Sequence, residues 1–153
     1  MEQLLDVTPL HWAGIGTAML VGAIIGLERQ VLGKPVGIRT SILICLGTYV
    51  FVALSNSAMT VNTDPSRIIG QVITGIGFLG AGVILTRNGI VMGVTSAACI
   101  WILASIGCTI ALEHYLTSIK LAVLTVAILV GVENAESTFK ALQKGVHRKG
   151  ENE

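Results

Sequence analysis

A glycine motif is the first feature of the chain whose spacing could serve chemistry. Residues 75–80, GIGFLG, match G-x-G-x-x-G, which holds the pyrophosphate of a dinucleotide where it follows a strand and opens a helix. That site also requires an acidic residue about 20 positions later, and none occurs at that distance. The motif lies in the middle of an apolar run instead. The sequence therefore argues against nucleotide binding.

Residues that could form a catalytic or metal site are dispersed along the chain. His11, His114 and His147 lie in different parts of the sequence, and none has a serine or cysteine placed to act with it as a nucleophile. The cysteines fit no metal-site spacing and are predicted to pack as small apolar residues; they are Cys45, Cys99 and Cys108. We therefore predict no enzymatic activity, no cofactor and no metal site.

A charged cluster follows the first long apolar run. Glu28 and Arg29 end that run and Arg39 begins the next one, so a helical hairpin can bring the three side chains together. Because an unpaired carboxylate next to hydrocarbon is costly, we expect Glu28 to pair with Arg29 or Arg39. A role in binding a partner or an ion is the alternative.

A second polar cluster opens the third apolar run. Asp64 or Ser66 can cap the start of a helix there. A polar strip then follows one face of that helix, and it should face other protein rather than lipid. Capping alone, a dimer contact and a small polar cavity all remain open. The strip consists of Arg67, Gln71, Thr74 and Phe78.

One further polar candidate lies at the start of the fourth apolar run. Thr95 carries a hydroxyl in an otherwise apolar segment. Hydroxyls in such positions usually bond to their own backbone or to a neighbouring helix.

The composition shows what kind of protein must position these residues. Of the 153 residues, 52% are hydrophobic and only 12% are charged, against about 25% in soluble domains. The mean hydropathy is +0.78, and the charged residues are clustered. There is no basic patch interleaved with aromatic residues, so nucleic acid is not an expected partner. These values predict an integral membrane protein in contact with the lipid bilayer.

Five apolar runs are candidates for membrane spans, since a span needs about 20 apolar residues. The predicted fold is all-α, a bundle of five transmembrane helices. Residues 1–8 form a periplasmic N-terminus, and residues 133–153 form an amphipathic cytoplasmic helix and tail. The spans cover residues 9–132, at about 9–27, 38–58, 67–87, 90–112 and 115–132.

Basic residues are unevenly distributed between the two ends of these helices. With five spans, only Arg67 and Lys120 fall at one end. Because cytoplasmic loops carry the excess of basic residues, we predict that the N-terminus lies outside and the C-terminus in the cytoplasm. The residues predicted on the cytoplasmic side are Arg29, Lys34, Arg39, Arg87, Lys140, Lys144, Arg148 and Lys149.

Small residues in the first and third runs are predicted to form helix-packing surfaces. In a membrane, glycines let neighbouring helices approach closely, whereas in a water-soluble helix they are costly. The predicted packing residues are Gly22, Gly26, Gly75, Gly77, Gly80 and Gly82. This pattern favours a homo-oligomer, with a dimer as the first expectation.

Three segments together resemble the MgtC/SapB family of bacterial inner-membrane proteins. The first is GLERQ at residues 26–30 with GIRT at 37–40, and the second is DPSRI at 64–68 with Gln71. The third is GIGFLGAGVI at 75–84. It is followed by Gly93, Thr95, Ala97, Ala98 and Trp101.

The resemblance implies a multi-pass protein of the bacterial inner membrane that takes part in magnesium homeostasis and adaptation to low magnesium. It implies a regulator of membrane complexes, linked to the ATP synthase and the membrane potential, and in pathogens a role in virulence. Longer members carry a soluble domain after the last helix, and we expect a short form without it here. The alternative is an oligomeric channel or transporter for magnesium or another ion, with Asp64 and Glu28 at its two mouths.

Overall fold

The computed structural model describes residues 6–58, 66–87 and 89–138, and within these ranges the fold is mostly helical. A two-stranded hairpin interrupts the series of helices between the third and the fourth. In chain order, the elements are α1 (Trp12–Val31), α2 (Ile38–Ser57), α3 (Ser66–Gly82), β1 (Leu85–Arg87), β2 (Ile90–Met92), α4 (Val94–Ala111) and α5 (Tyr115–Thr138).

Three helices of the described chain are long and apolar enough to cross a membrane. They are α2, α4 and the Tyr115–Ala135 part of α5. The apolar helix α3 has 17 residues and is shorter than these. The structure therefore supports a membrane protein built from helices, whereas the five-span topology and the orientation stay predictions.

Helices α1, α2, α4 and α5 form the core of the bundle. Helix α1 packs against α2 and α5, and α4 packs against α2 and α5. Helix α3 lies at the periphery, where it packs on α4 and only lightly on α2. The fully buried apolar side chains belong to the four core helices and include Val21, Ile25, Cys45, Leu103, Ile106, Ile110 and Ala122.

Close backbone contact fixes α1 against α2. A Cβ added to Gly22 would lie 2.5 Å from the Cα of Ile42, and one added to Gly26 would lie 2.6 Å from the Cα of Ile38. Backbone atoms at these positions leave no space for a larger residue. The two glycines therefore set the distance between the helices, as small residues do in membrane bundles.

The third apolar run ends differently from the sequence prediction. The predicted span reaches Arg87, but α3 ends at Gly82 and an antiparallel hairpin follows, in which Leu85 pairs with Met92 and Arg87 pairs with Ile90. An Asn-Gly pair favours such a hairpin, because both central residues of its turn need positive φ. Gly89 has a φ of 76°.

Gly93 explains why α4 begins at Val94 rather than at the predicted residue 90. Its φ is 88°, and it lies so close to the backbone carbonyl of Val83 that no side chain would fit. A residue with such a φ interrupts a right-handed helix, so the hairpin and α4 are separate elements.

Helix α1 also differs from the predicted boundaries. It begins at Trp12 rather than at the predicted residue 9, and continues through the charged pair to Val31. Helix α5 runs without interruption to Thr138, so the chain stays helical past residue 132, where the predicted amphipathic helix begins. The rest of the predicted amphipathic helix lies outside the described residues.

Two polar contacts show which loops share an end of the bundle. Lys34, between α1 and α2, lies 3.7 Å from Glu133 near the end of α5. His11, before α1, lies 3.6 Å from Glu113 in the turn between α4 and α5. Helices α1 and α5 therefore run in the same direction, and α2 and α4 run in the opposite one.

Candidate functional site

A buried ion pair lies at the end of α1. Arg29 Nε is 2.6 Å from Glu28 Oε2, and Arg29 Nη2 is 2.8 Å from Glu28 Oε1, so the guanidinium holds the carboxylate through two bonds. The side chains of Arg29 and Glu28 are only 4% and 7% exposed. Charges that are buried this deeply stabilise the fold only as a pair, because removing one partner leaves the other charge buried without compensation.

Three further side chains complete what we call the Arg29 cluster. Cys99 of α4 lies beside the Arg29 guanidinium, and Glu133 of α5 is near enough to interact with it electrostatically. Glu133 also approaches Lys34, and these two side chains are both 46% exposed. The cluster therefore joins α1, α4, α5 and the loop after α1, and it extends from the bundle interior to the surface.

Two side-chain hydrogen bonds hold the loop between α1 and α2 beside this cluster. The Gln30 side-chain carbonyl accepts a hydrogen bond from the backbone N–H of Ile38 at 3.2 Å, which satisfies a free donor in the first turn of α2. The Ser41 hydroxyl donates to the carbonyl of Val36 at 3.2 Å. Val36 is buried and has a φ of 69°, which is costly for a β-branched residue and needs such support.

The sequence offered Glu28 two basic partners, and the structure selects Arg29. Arg39 lies exposed in the first turn of α2, outside the cluster. Thr95 is exposed in the first turn of α4, whereas the neighbouring Ser96 is buried. The structure thus brings Glu28 and Arg29 together and leaves Arg39 and Thr95 at the surface.

The polar strip of α3 lies on the side of that helix that faces away from α4. Ile76 and Gly80 are the buried residues of the described part of α3, and a Cβ added to Gly80 would lie 3.8 Å from the Cβ of Ala97 in α4. At 100° per residue, the strip lies on the opposite face. Phe78 of the strip is 80% exposed. All four members are exposed: Arg67, Gln71, Thr74 and Phe78.

Most glycines of α3 do not contact another helix of the described chain. A Cβ added to Gly80 would make ordinary contacts with α4, but a Cβ at each of the other four glycines of α3 would meet no atom of the described structure within 4 Å. Because each glycine in a helix costs about 1 kcal/mol relative to alanine, these positions are unfavourable unless something packs on them. These glycines are Gly70, Gly75, Gly77 and Gly82.

A groove of about 800 Å³ separates α3 from α2. Its walls are mostly apolar, and Gln71 and Gly75 lie on the α3 side, opposite Gly47 and Ser55 of α2. The Ser55 hydroxyl oxygen is buried and has no hydrogen-bond partner among the described residues. The groove is continuous with the exposed strip of α3 through Gln71.

Some polar contacts could not be found from the sequence. The sequence predicts that Lys34 lies on the cytoplasmic side, but it does not predict the contact with Glu133, which is far away in the chain. The sequence predicts that Cys99 packs as a small apolar residue, and it does not show that Cys99 lies beside Arg29. Asp64, predicted as a capping or pore residue, lies outside the described residues.

Comparison with known proteins identifies the class of this membrane bundle. A sequence model described as the MgtC family matches residues 15–138. The chain belongs to the MgtC family. We found no significant match among solved structures.

Two relatives show how far the similarity extends. The "Putative magnesium transporter YhiD" of Escherichia coli K12 is 41% identical over 137 residues, which cover 85% of this chain and 62% of the relative. "Protein MgtC" of Salmonella typhimurium LT2 is 37% identical over 126 residues, which cover 82% of this chain and 53% of the relative. The chain thus spans between half and two thirds of the length of these relatives.

Proposed function

We propose that this chain supports adaptation to low magnesium in the bacterial inner membrane as a regulator of membrane complexes rather than as a magnesium pump. In this proposal it acts through contacts between its helices and those of other proteins, and it has no catalytic activity. The ATP synthase is the complex that the family resemblance favours as the target. Any role in virulence rests on the resemblance alone.

The exposed strip of α3 is the observation that carries the proposal. In lipid, the polar groups of Arg67 and Gln71 would lose their hydrogen bonds to water, and polar residues in membrane helices usually face protein or a water-filled cavity. The glycines beside them leave the helix backbone open to close approach. A second helix would give Gln71 hydrogen-bond partners and use the space above the glycines.

A second copy of this chain fits the strip because the strip can pair with itself. Copies inserted in the same orientation present α3 helices that run parallel, and a two-fold axis along the membrane normal brings the same residues face to face. Gln71 carries both a donor and an acceptor, so two Gln71 side chains can bond to each other. Phe78 of one copy then packs against the Gly75 and Gly82 backbone of the other.

Replacing Gln71 with leucine should weaken this self-association. Hydrogen bonds between membrane helices are worth about 1 kcal/mol, so we expect a dissociation constant about fivefold higher. Energy transfer between labelled copies diluted in bilayers measures it. Val123→Ala changes an exposed residue of α5 and is the matched control. Equal dimer fractions for Gln71→Leu and wild type would show that Gln71 does not contribute to the interface.

Regulation of the ATP synthase can be measured in reconstituted vesicles. We expect ATP-driven acidification by purified ATP synthase to be slower when the chain is present, and the Phe78→Ala variant to restore part of the rate. Val123→Ala should act as the wild type does. Identical acidification rates with and without the chain would contradict this target.

An oligomeric ion channel or transporter is the second candidate function. It is favoured by the name of the Escherichia coli relative, a putative magnesium transporter. In that case the groove between α2 and α3 would line a path between copies, with Gln71 and Ser55 as its polar groups. Flux through vesicles that contain only this chain separates the two candidates.

A further inference from the structure

A polar pocket lies at the end of the bundle opposite the Arg29 cluster. Its volume is about 340 Å³, and the N-terminal segment, α2 and the turn between α4 and α5 form its walls. Polar groups make up a larger share of its lining than they do in the groove beside α3. The polar lining residues are His11, Tyr49, Asn56, Ser57, Glu113 and Tyr115.

Tyr49 fixes the N-terminal wall of this pocket. Its hydroxyl accepts a hydrogen bond from the backbone N–H of His11 at 2.9 Å and donates one to the carbonyl of His11 at 3.3 Å. Tyr49 is only 2% exposed, and its ring occupies the space above Gly14, where a side chain would collide with it. The backbone of His11 is therefore held in place, and its imidazole is kept at the pocket.

The electrostatics of the pocket favour a cation. Glu113 contributes a carboxylate, and it directly follows the C-terminal end of α4, where the aligned peptide dipoles leave a partial negative charge of about half a unit. The described residues that line the pocket include no lysine or arginine. Both features lower the energy of a positive ion between α4 and α1.

The separation of His11 and Glu113 suits two ligands of one metal ion. His11 Nε2 lies 3.6 Å from Glu113 Oε1, which is too far for a good hydrogen bond. Two atoms that each lie about 2.0–2.2 Å from a tetrahedral metal are about 3.3–3.6 Å apart. An imidazole with a carboxylate suits zinc and related transition metals, whereas magnesium prefers oxygen ligands only.

We propose that this pocket binds a divalent transition-metal cation of the zinc class between His11 Nε2 and Glu113 Oε1. Tyr49 is a positioning residue for His11, and water completes the coordination shell. Because the protein supplies only two ligands and both side chains are more than half exposed, binding is weaker than at a structural zinc site with four protein ligands. The site is independent of the contacts proposed for α3.

The test is equilibrium binding of Zn²⁺ to the full chain in nanodiscs, prepared without a polyhistidine tag, with empty nanodiscs as the blank. Co²⁺ serves as a spectroscopic probe, because its visible absorption reports the ligand set. We expect saturable Zn²⁺ binding that His11→Ala and Glu113→Gln each weaken at least about tenfold, since even outer-shell changes weaken metal sites by that much. Tyr49→Phe should weaken it less, and Mg²⁺ should not compete.

His114→Ala is the matched control, because His114 is an exposed histidine next to Glu113 that does not line the pocket. It should bind Zn²⁺ as the wild type does. Thermal unfolding of every variant shows whether the bundle is intact. Zn²⁺ binding no greater than that of empty nanodiscs, or binding unchanged in His11→Ala, would overturn the proposal. Binding lost in His114→Ala instead would place the ion elsewhere.

Discussion

Replacing Arg29 with methionine should destabilise the folded bundle by about 3–5 kcal/mol, the largest effect that we expect from any single change. The substitution leaves the Glu28 carboxylate buried without its partner, at a site where both side chains are less than a tenth exposed. The free energy of unfolding in mixed detergent micelles, followed by circular dichroism, measures the loss. The folded yield should fall with it.

Two companion variants separate the ion pair from other effects of the change. The double variant Glu28→Gln with Arg29→Met removes both charges and should recover most of the lost stability, because replacing a whole buried pair is often close to neutral. Arg39→Met removes an exposed arginine of the same region and should change stability little. If Arg29→Met is as stable as Arg39→Met, the pair is not buried in the folded protein.

Alanine at Gly22 should also be strongly destabilising. Its Cβ would lie 2.5 Å from Ile42 Cα and 2.9 Å from the Ser41 carbonyl oxygen, and these backbone atoms can move only if the helices separate. Overpacking typically costs about 1–3 kcal/mol, and we expect the upper end of that range because no flexible side chain can give way. Gly26→Ala should behave alike, since its Cβ would meet Ile38. The same unfolding measurement applies.

Gly16 provides the matched control for this prediction. It lies in the same helix, but a Cβ there would meet no atom of the described structure within 4 Å. Gly16→Ala should therefore be neutral or stabilising by up to about 1 kcal/mol, as expected from helix propensity alone. Equal stability of the Gly22→Ala and Gly16→Ala variants would contradict the close contact of α1 with α2.

The parts of this structure that follow local patterns could be predicted from the sequence. The four-residue spacing of Gly22 and Gly26 predicts a packing surface, and the structure places both against α2. The periodicity of Arg67, Gln71, Thr74 and Phe78 places them on one helix face, although it cannot show what that face meets. The family also followed from short motifs in the right order.

The parts that depend on the path of the chain in three dimensions could not be predicted. Lys34 meets Glu133, and His11 meets Glu113, because α1 packs beside α5, and hydropathy does not show which helices of a bundle are neighbours. An uninterrupted apolar run hid the end of α3 at Gly82, because hydropathy does not distinguish a helix from a short apolar hairpin.

Magnesium uptake by liposomes that contain only this chain tests the central claim most directly. A dye inside the liposomes reports Mg²⁺ entry under an inward gradient with an imposed membrane potential, and an ionophore added at the end shows that the vesicles are sealed and the dye responds. The proposal of a regulator predicts the same rate as in protein-free liposomes. Uptake that depends on the chain, saturates with Mg²⁺ concentration and falls in Asp64→Asn would contradict it and establish a transporter.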